Sequence, residues 1–183
     1  MRRALCISGI VACLIGAVPA LALQQLLGVP VKGLQGSMRI ERTAYHEGEN
    51  IRVTLTLTNV SEVPITIDPW PGNWFVQLFD EHIRVIQPKA RAVDVLRPLP
   101  EPRTLQPGES WSTQVEALRF VAHSPGSTPL WEYAPLKPGT YWLGAEYAAL
   151  QDPSHPEMWF GGLNCQLVKI EVVATPVAQA PKS

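Results

Sequence analysis

Ile51 to Thr58 reads IRVTLTLT, and this alternation constrains the fold more than any other feature of the chain. Ile51, Val53, Leu55 and Leu57 fall on one side of an extended backbone, and Arg52, Thr54, Thr56 and Thr58 on the other, the pattern of a strand buried on one face. No comparable apolar run occurs at helical spacing. Further extended stretches follow: Ile65 to Ile67, then WFVQLFDE from Trp74 to Glu81, with a tight turn at Asp80-Glu81 leading into HIRVIQ as a hairpin. Within that hairpin Trp74, Val76 and Leu78 compete with Phe75 and Phe79 for the core face, a choice that one residue of register would reverse.

A turn phrase recurs before the later strands. LQPGESW begins at Leu105 and LKPGTYW at Leu136, and Glu47-Gly48-Glu49 stands in the same position before Ile51. Pro107 and Pro138 fix φ, and Gly108 and Gly139 permit a sharp reversal, so these residues are expected to be structural. Behind them Trp111, Thr113 and Val115 share one face, as do Tyr141, Leu143, Ala145 and Tyr147. A strand is expected near Met38 to Arg42 and a last one from Cys165 to Val173. The fold class implied is all-β, an immunoglobulin-like antiparallel sandwich of about seven to eight strands with long Pro-rich loops. Tyr141 stands where such folds carry the tyrosine-corner residue at the start of the penultimate strand.

The N-terminus has a different character. Arg2 and Arg3 precede an uncharged run from Ala4 to Val31, and Ala20-Leu21-Ala22 supplies a small-x-small cleavage site, the layout of a secretory signal peptide. The expected organisation is a signal over 1–22, a linker over 23–35, the sandwich over 36–174 and a disordered tail over 175–183. Export to the periplasm or the extracellular space follows from that layout. Membrane attachment would require lipidation at Cys13 or an uncleaved N-terminal segment. Removing Arg2 and Arg3 leaves 13 basic residues against 16 acidic ones, a net charge of −3 that does not suggest nucleic acid as partner. Cys165 is then the remaining cysteine: a buried thiol, an intermolecular bridge or a ligand.

The series EGENIRVTLTLTNVSEVPITI, WFVQLFDE, LQPGESW and LKPGTYWLGAEY resembles bacterial immunoglobulin-like domains of the intracellular proteinase inhibitor type, over about residues 45–147. The resemblance implies a sandwich with a protein-binding, inhibitory role. The chain departs from that family in its export signal, its inserted loops and its central hairpin, which lacks the usual Asp-x-x-Gly turn. No inhibitory residue is carried over.

Function is expected on the loops at the ends of the sandwich. Trp70 in DPWPGNW, Trp131, and the run Met158-Trp159-Phe160 offer large apolar faces for a protein partner, or for stacking on a glycan. The competing reading folds the tryptophans back to seal the sandwich. No catalytic residue, cofactor or metal is expected. His46, His82, His123 and His155 lie in separate loops without metal-ligand spacing. His155, Glu157, Met158 and Cys165 include soft-metal ligand types in an order that does not suit a copper sandwich. Arg84, Lys89, Arg91, Arg97 and Arg103 bracket a Pro-rich loop interrupted by Asp94 and Glu101, which reads as a polar connection.

Overall fold

In a computed structural model the described residues are 26–88, 90–91, 101–118 and 131–175. The expected signal peptide and almost all of the expected disordered tail lie outside them, as do His123, Lys89 and Arg97. Among the described residues no helix is long and apolar enough to cross a membrane.

In chain order the strands are β1 (Leu26–Leu27), β2 (Leu34–Ile40), β3 (Ala44–His46), β4 (Ile51–Asn59), β5 (Ile65–Ile67), β6 (Trp74–Phe79), β7 (Ala90–Arg91), β8 (Arg103–Leu105), β9 (Ser110–Leu118), β10 (Trp131–Glu132), β11 (Gly139–Ala149), β12 (Gly161–Asn164) and β13 (Val168–Val173). One layer runs β1-β2-β4-β9, all antiparallel. In the other, β11 is central, with β6 along one side and β13 then β12 along the other; β3 closes the far edge, parallel to β13. The chain changes layers between β2 and β3, where the Glu171 N–H donates to Thr43 O at 2.7 Å. Two facing sheets, this strand exchange and the corner described below make the protein an immunoglobulin-like β-sandwich.

The alternation of β4 explains the core. Ile51, Val53, Leu55 and Leu57 are buried, each at 1 % exposure or less. A leucine so placed stabilises the fold by about 1.5–3 kcal/mol. On the opposite face Thr56 and Thr58 form hydroxyl pairs with Ser112 and Ser110 across the β4–β9 register, at 2.8 and 2.9 Å. The central hairpin settles its ambiguity in favour of Trp74, Val76 and Leu78, which are buried while Phe75 and Phe79 are half-buried. Its return arm touches β6 only briefly, through the Phe79–Val85 bridge and the Ile86 N–H on Leu78 O.

The recurrent turn has two forms. Gly48 and Gly108 both take positive φ, 73° and 78°. In each, the following Glu donates its N–H back across the turn, to His46 O or Gln106 O, and its carboxylate accepts from the N–H of that same residue at 3.0 Å. The Gln106 N–H and then Arg103 hold the Glu109 carboxyl below its ordinary pKa. The third copy has Thr140 in place of the glutamate and Gly139 close to extended at φ 158°. There the side chain of Tyr141 takes over, its hydroxyl donating to Lys137 O at 2.9 Å as a tyrosine corner.

Three boundaries differ from the sequence expectation. The first long strand begins at Leu34, not Met38. The segment expected as linker holds a hairpin, whose two-residue turn has Lys32 and Gly33 both at positive φ (48° and 78°). Val31 and Leu34 exchange hydrogen bonds around it, while Leu26–Leu27 pair with Ser37 and Met38. The expected last strand starts at Val168, not Cys165, and Gly161–Asn164 pairs with β11 as a further strand. Gly161 and Gly162 carry no apolar alternation, so only the partner strand reveals them.

Candidate functional site

The aromatic loop residues are placed by packing. Trp159 is 7 % exposed and Met158 6 %. The Trp159 ring stacks toward Tyr147 at 5.7 Å, which meets Trp74 at 5.2 Å, and its indole N–H donates to Val31 O. These two residues therefore seal the sandwich and cannot present the exposed face expected of them. Phe160 is 39 % exposed, but the Lys32 ammonium covers one ring face at 3.8 Å and donates to Phe160 O.

Trp70 is half-buried in a loop tied down from within. The Asp68 carboxylate accepts from the Trp70 N–H and from Asn73 Nδ2, and the Tyr147 hydroxyl donates to Asp68 O at 2.7 Å. Trp70 folds over its own loop so closely that a Cβ on Gly72 would lie 2.4 Å from the ring. The Trp131 main chain pairs with Arg91, and its side chain lies outside the described residues. Among the described side chains, Trp70, Met158, Trp159 and Phe160 do not form one exposed platform.

The other candidates separate in the same way. Cys165 is a buried free thiol, and burial pushes its pKa up to about 12. Among the described residues no three His, Cys, Asp or Glu side chains converge as a metal site. His155 instead bonds Glu157 at 3.1 Å. Of the basic residues, Arg84 pairs with Asp80 and Arg103 with Glu109.

Two concavities stand out among the described residues. One, of about 410 Å³, is lined by Glu41, Arg42, Tyr45, Glu49 and Arg52 among others. Arg42 is ion-paired with Glu49 and stands over the Tyr45 ring at 4.9 Å, so opposite charges already face one another there. The larger, about 600 Å³, lies on the outer face of the β6–β11 pair. Its floor is Phe75 and Gln77 of β6 with Glu146 and Ala148 of β11, and its walls are Val85 to Pro88 and Tyr133. Tyr133 is buried, which raises its phenol pKa, and a hydrogen bond with the Leu78 main chain opposes that shift.

This groove was not read from the sequence. The floor residues are the face of WFVQLF that lost the competition for the core, and Tyr133 and Ile86 come from segments about 50 residues apart. The signal that was available is Pro88, which ends the hairpin arm.

No protein-family model matches this chain, and no curated protein matches it. Among solved structures it is similar to the β-glucosidase from Listeria innocua in complex with isofagomine, at 15 % identity and TM-score 0.35, covering 79 % of this chain and 17 % of that one. The gluconolactone complex of that enzyme gives 14 % identity and TM-score 0.33, with 76 % and 16 % coverage. The chain thus spans about a sixth of the enzyme's length, and an overlap this loose carries no argument about its activity.

Proposed function

We propose that this chain is an exported, non-catalytic immunoglobulin-like domain that binds a protein partner through the groove on the outer face of β6 and β11. The observation that carries this reading is the groove itself, a concavity in which apolar side chains such as Phe75, Ile86 and Pro88 stand beside Gln77, Gln87 and a carboxylate, Glu146. Sites of this kind take ligand surface by apolar burial and use few polar groups for orientation. The uncharged N-terminal run with its small-x-small site supports export. The resemblance over residues 45–147 makes a proteinase one class of partner. Glycan stacking loses one of its three tryptophan faces with the burial of Trp159.

The test uses the full-length protein and an Ala148→Lys variant as baits in envelope and culture-supernatant extracts. Ala148 is half-buried on the groove floor, so lysine there fills the groove without entering the core. A protein retained by the parent and lost with the variant supports the reading, and inhibition assays follow if it is a protease. Equal retention by both baits would remove the groove from the account.

A further inference from the structure

The main chain inside this groove carries more information than its side chains. Ile86 N–H bonds Leu78 O and Asp80 N–H bonds Arg84 O, so the even-numbered residues of β6 direct their N–H and C=O groups away from β11. Trp74 obeys the same parity, its N–H donating to Pro71 O. Val76 must therefore point both main-chain groups at the outer edge of the sheet, while its side chain is turned into the core.

Continuing the hairpin register from Phe79–Val85 and Leu78–Ile86 places Pro88 opposite Val76. A proline has no N–H to offer the Val76 carbonyl. The two arms part at this point, Val76 and Pro88 both border the groove, and among the described residues Val76 has no main-chain partner on that edge. A donor and an acceptor at a sheet edge, beside an open groove, call for a main-chain partner.

We infer that the groove takes an extended peptide segment of the partner protein, added as a strand to the outer edge of β6 at Val76. This rests on the protein-binding reading and specifies its mode: main-chain pairing supplies the anchor, and alternate side chains supply selectivity. An apolar side chain of the segment lies over Phe75 and Ala148. A lysine or arginine faces Glu146, the charged residue among those that line the groove.

An array of synthetic hexapeptides carrying Val, Ile or Phe with Lys two residues away, so that both side chains lie on one face of the strand, is screened on the full-length protein. The tightest binder is remade with single main-chain N-methyl groups. Strand addition predicts a loss of about tenfold or more when the residue pairing with Val76 is methylated, and little change at the residue beside it. Hydrogen exchange at the Val76 amide should slow on binding. Ala148→Lys should abolish binding while leaving the tryptophan fluorescence of the fold unchanged.

Binding that tolerates every N-methyl group and leaves Val76 unprotected would overturn strand addition yet leave protein binding standing. Binding that survives Ala148→Lys would overturn both. A Val76 amide already protected in a dimer of this chain would overturn the partner segment in favour of self-pairing, and an array without any binder would overturn the pairing of apolar and basic side chains proposed here.

Discussion

Asn59 ends β4, and its side chain is a knot whose removal should be felt through the whole domain. It is fully buried, and Nδ2 donates to Leu105 O at 2.9 Å and to Val63 O at 2.8 Å. Oδ1 accepts from the Ser61 N–H at 2.9 Å and from its hydroxyl at 2.7 Å. Its main chain also receives the Gly108 N–H, so β4, β8 and the Gly108 turn meet at one residue. In Asn59→Ala the groups at Val63 and Ser61 can turn to water or to each other. Leu105 O, in a buried bond, cannot. One stranded buried acceptor costs about 1–3 kcal/mol, and the loosened partly buried bonds add about 1 kcal/mol more. A total near 3 kcal/mol corresponds to a fall in Tm of roughly 6–12 °C for a domain of this size.

Asn59→Asp sharpens the test, because a carboxylate would face two carbonyl oxygens where an amide donates to them. The folded state then favours the protonated acid, which raises the pKa above its unfolded value. The linkage sign follows: the folded form binds more protons than the unfolded one, so Asn59→Asp should lose stability as pH rises above about 4 and regain it toward pH 3 relative to Asn59→Ala. Urea unfolding followed by tryptophan fluorescence measures both variants. A loss below about 1 kcal/mol for alanine, or the same pH slope in both variants, would refute the assignment of Asn59 as the organising hydrogen-bond centre.

Other perturbations have equally definite outcomes. Ile83 occupies the glycine position of the central hairpin turn with φ 60° and 46 % exposure. Ile83→Gly should relieve about 1–2 kcal/mol of left-handed strain, lose part of that to unfolded-chain entropy, and raise stability by about 0.5–1 kcal/mol in urea. Tyr141→Phe removes the corner hydrogen bond to Lys137 O and should lower stability by about 1 kcal/mol in the same assay; an unchanged midpoint would count against the corner. The Cys165 thiol, raised to about 12 by burial, should resist a disulfide reagent at pH 8 and react only as fast as the domain opens, so prompt native-state labelling would contradict its placement. Because its folded pKa lies above the unfolded value, this thiol contributes stability below about pH 8.5 that fades as pH climbs toward 12.

Local chemistry was legible where the cause is local. The alternation of IRVTLTLT states which side of β4 is buried, and Gly48 and Gly108 announce their turns because a positive φ with a following glutamate needs only three or four residues. Tyr141 was legible too, since its partner is four residues away. Trp159 and Met158 were not, because an aromatic loop residue reads alike whether it seals the core or faces a ligand. That choice lies with Tyr147 and Val31, which are distant in sequence. The strand Gly161–Asn164 was hidden for a related reason: its extended conformation is imposed by pairing with Tyr147 and Ala149, not by its own side chains.

The candidate site divides along the same line. The residues of its floor and wall stand in the sequence, but it is the inward turn of Trp74, Val76 and Leu78 that leaves Phe75 outside. The return arm and Tyr133 then enclose the space above it. The sequence by itself determined an all-β chain, its buried alternation and its sharp turns, because those depend on side-chain period and allowed dihedrals. The tertiary structure alone decided which aromatics became core and which main-chain groups of β6 turn to the sheet edge at Val76, because both depend on which distant segments supply the packing and the hydrogen bonds.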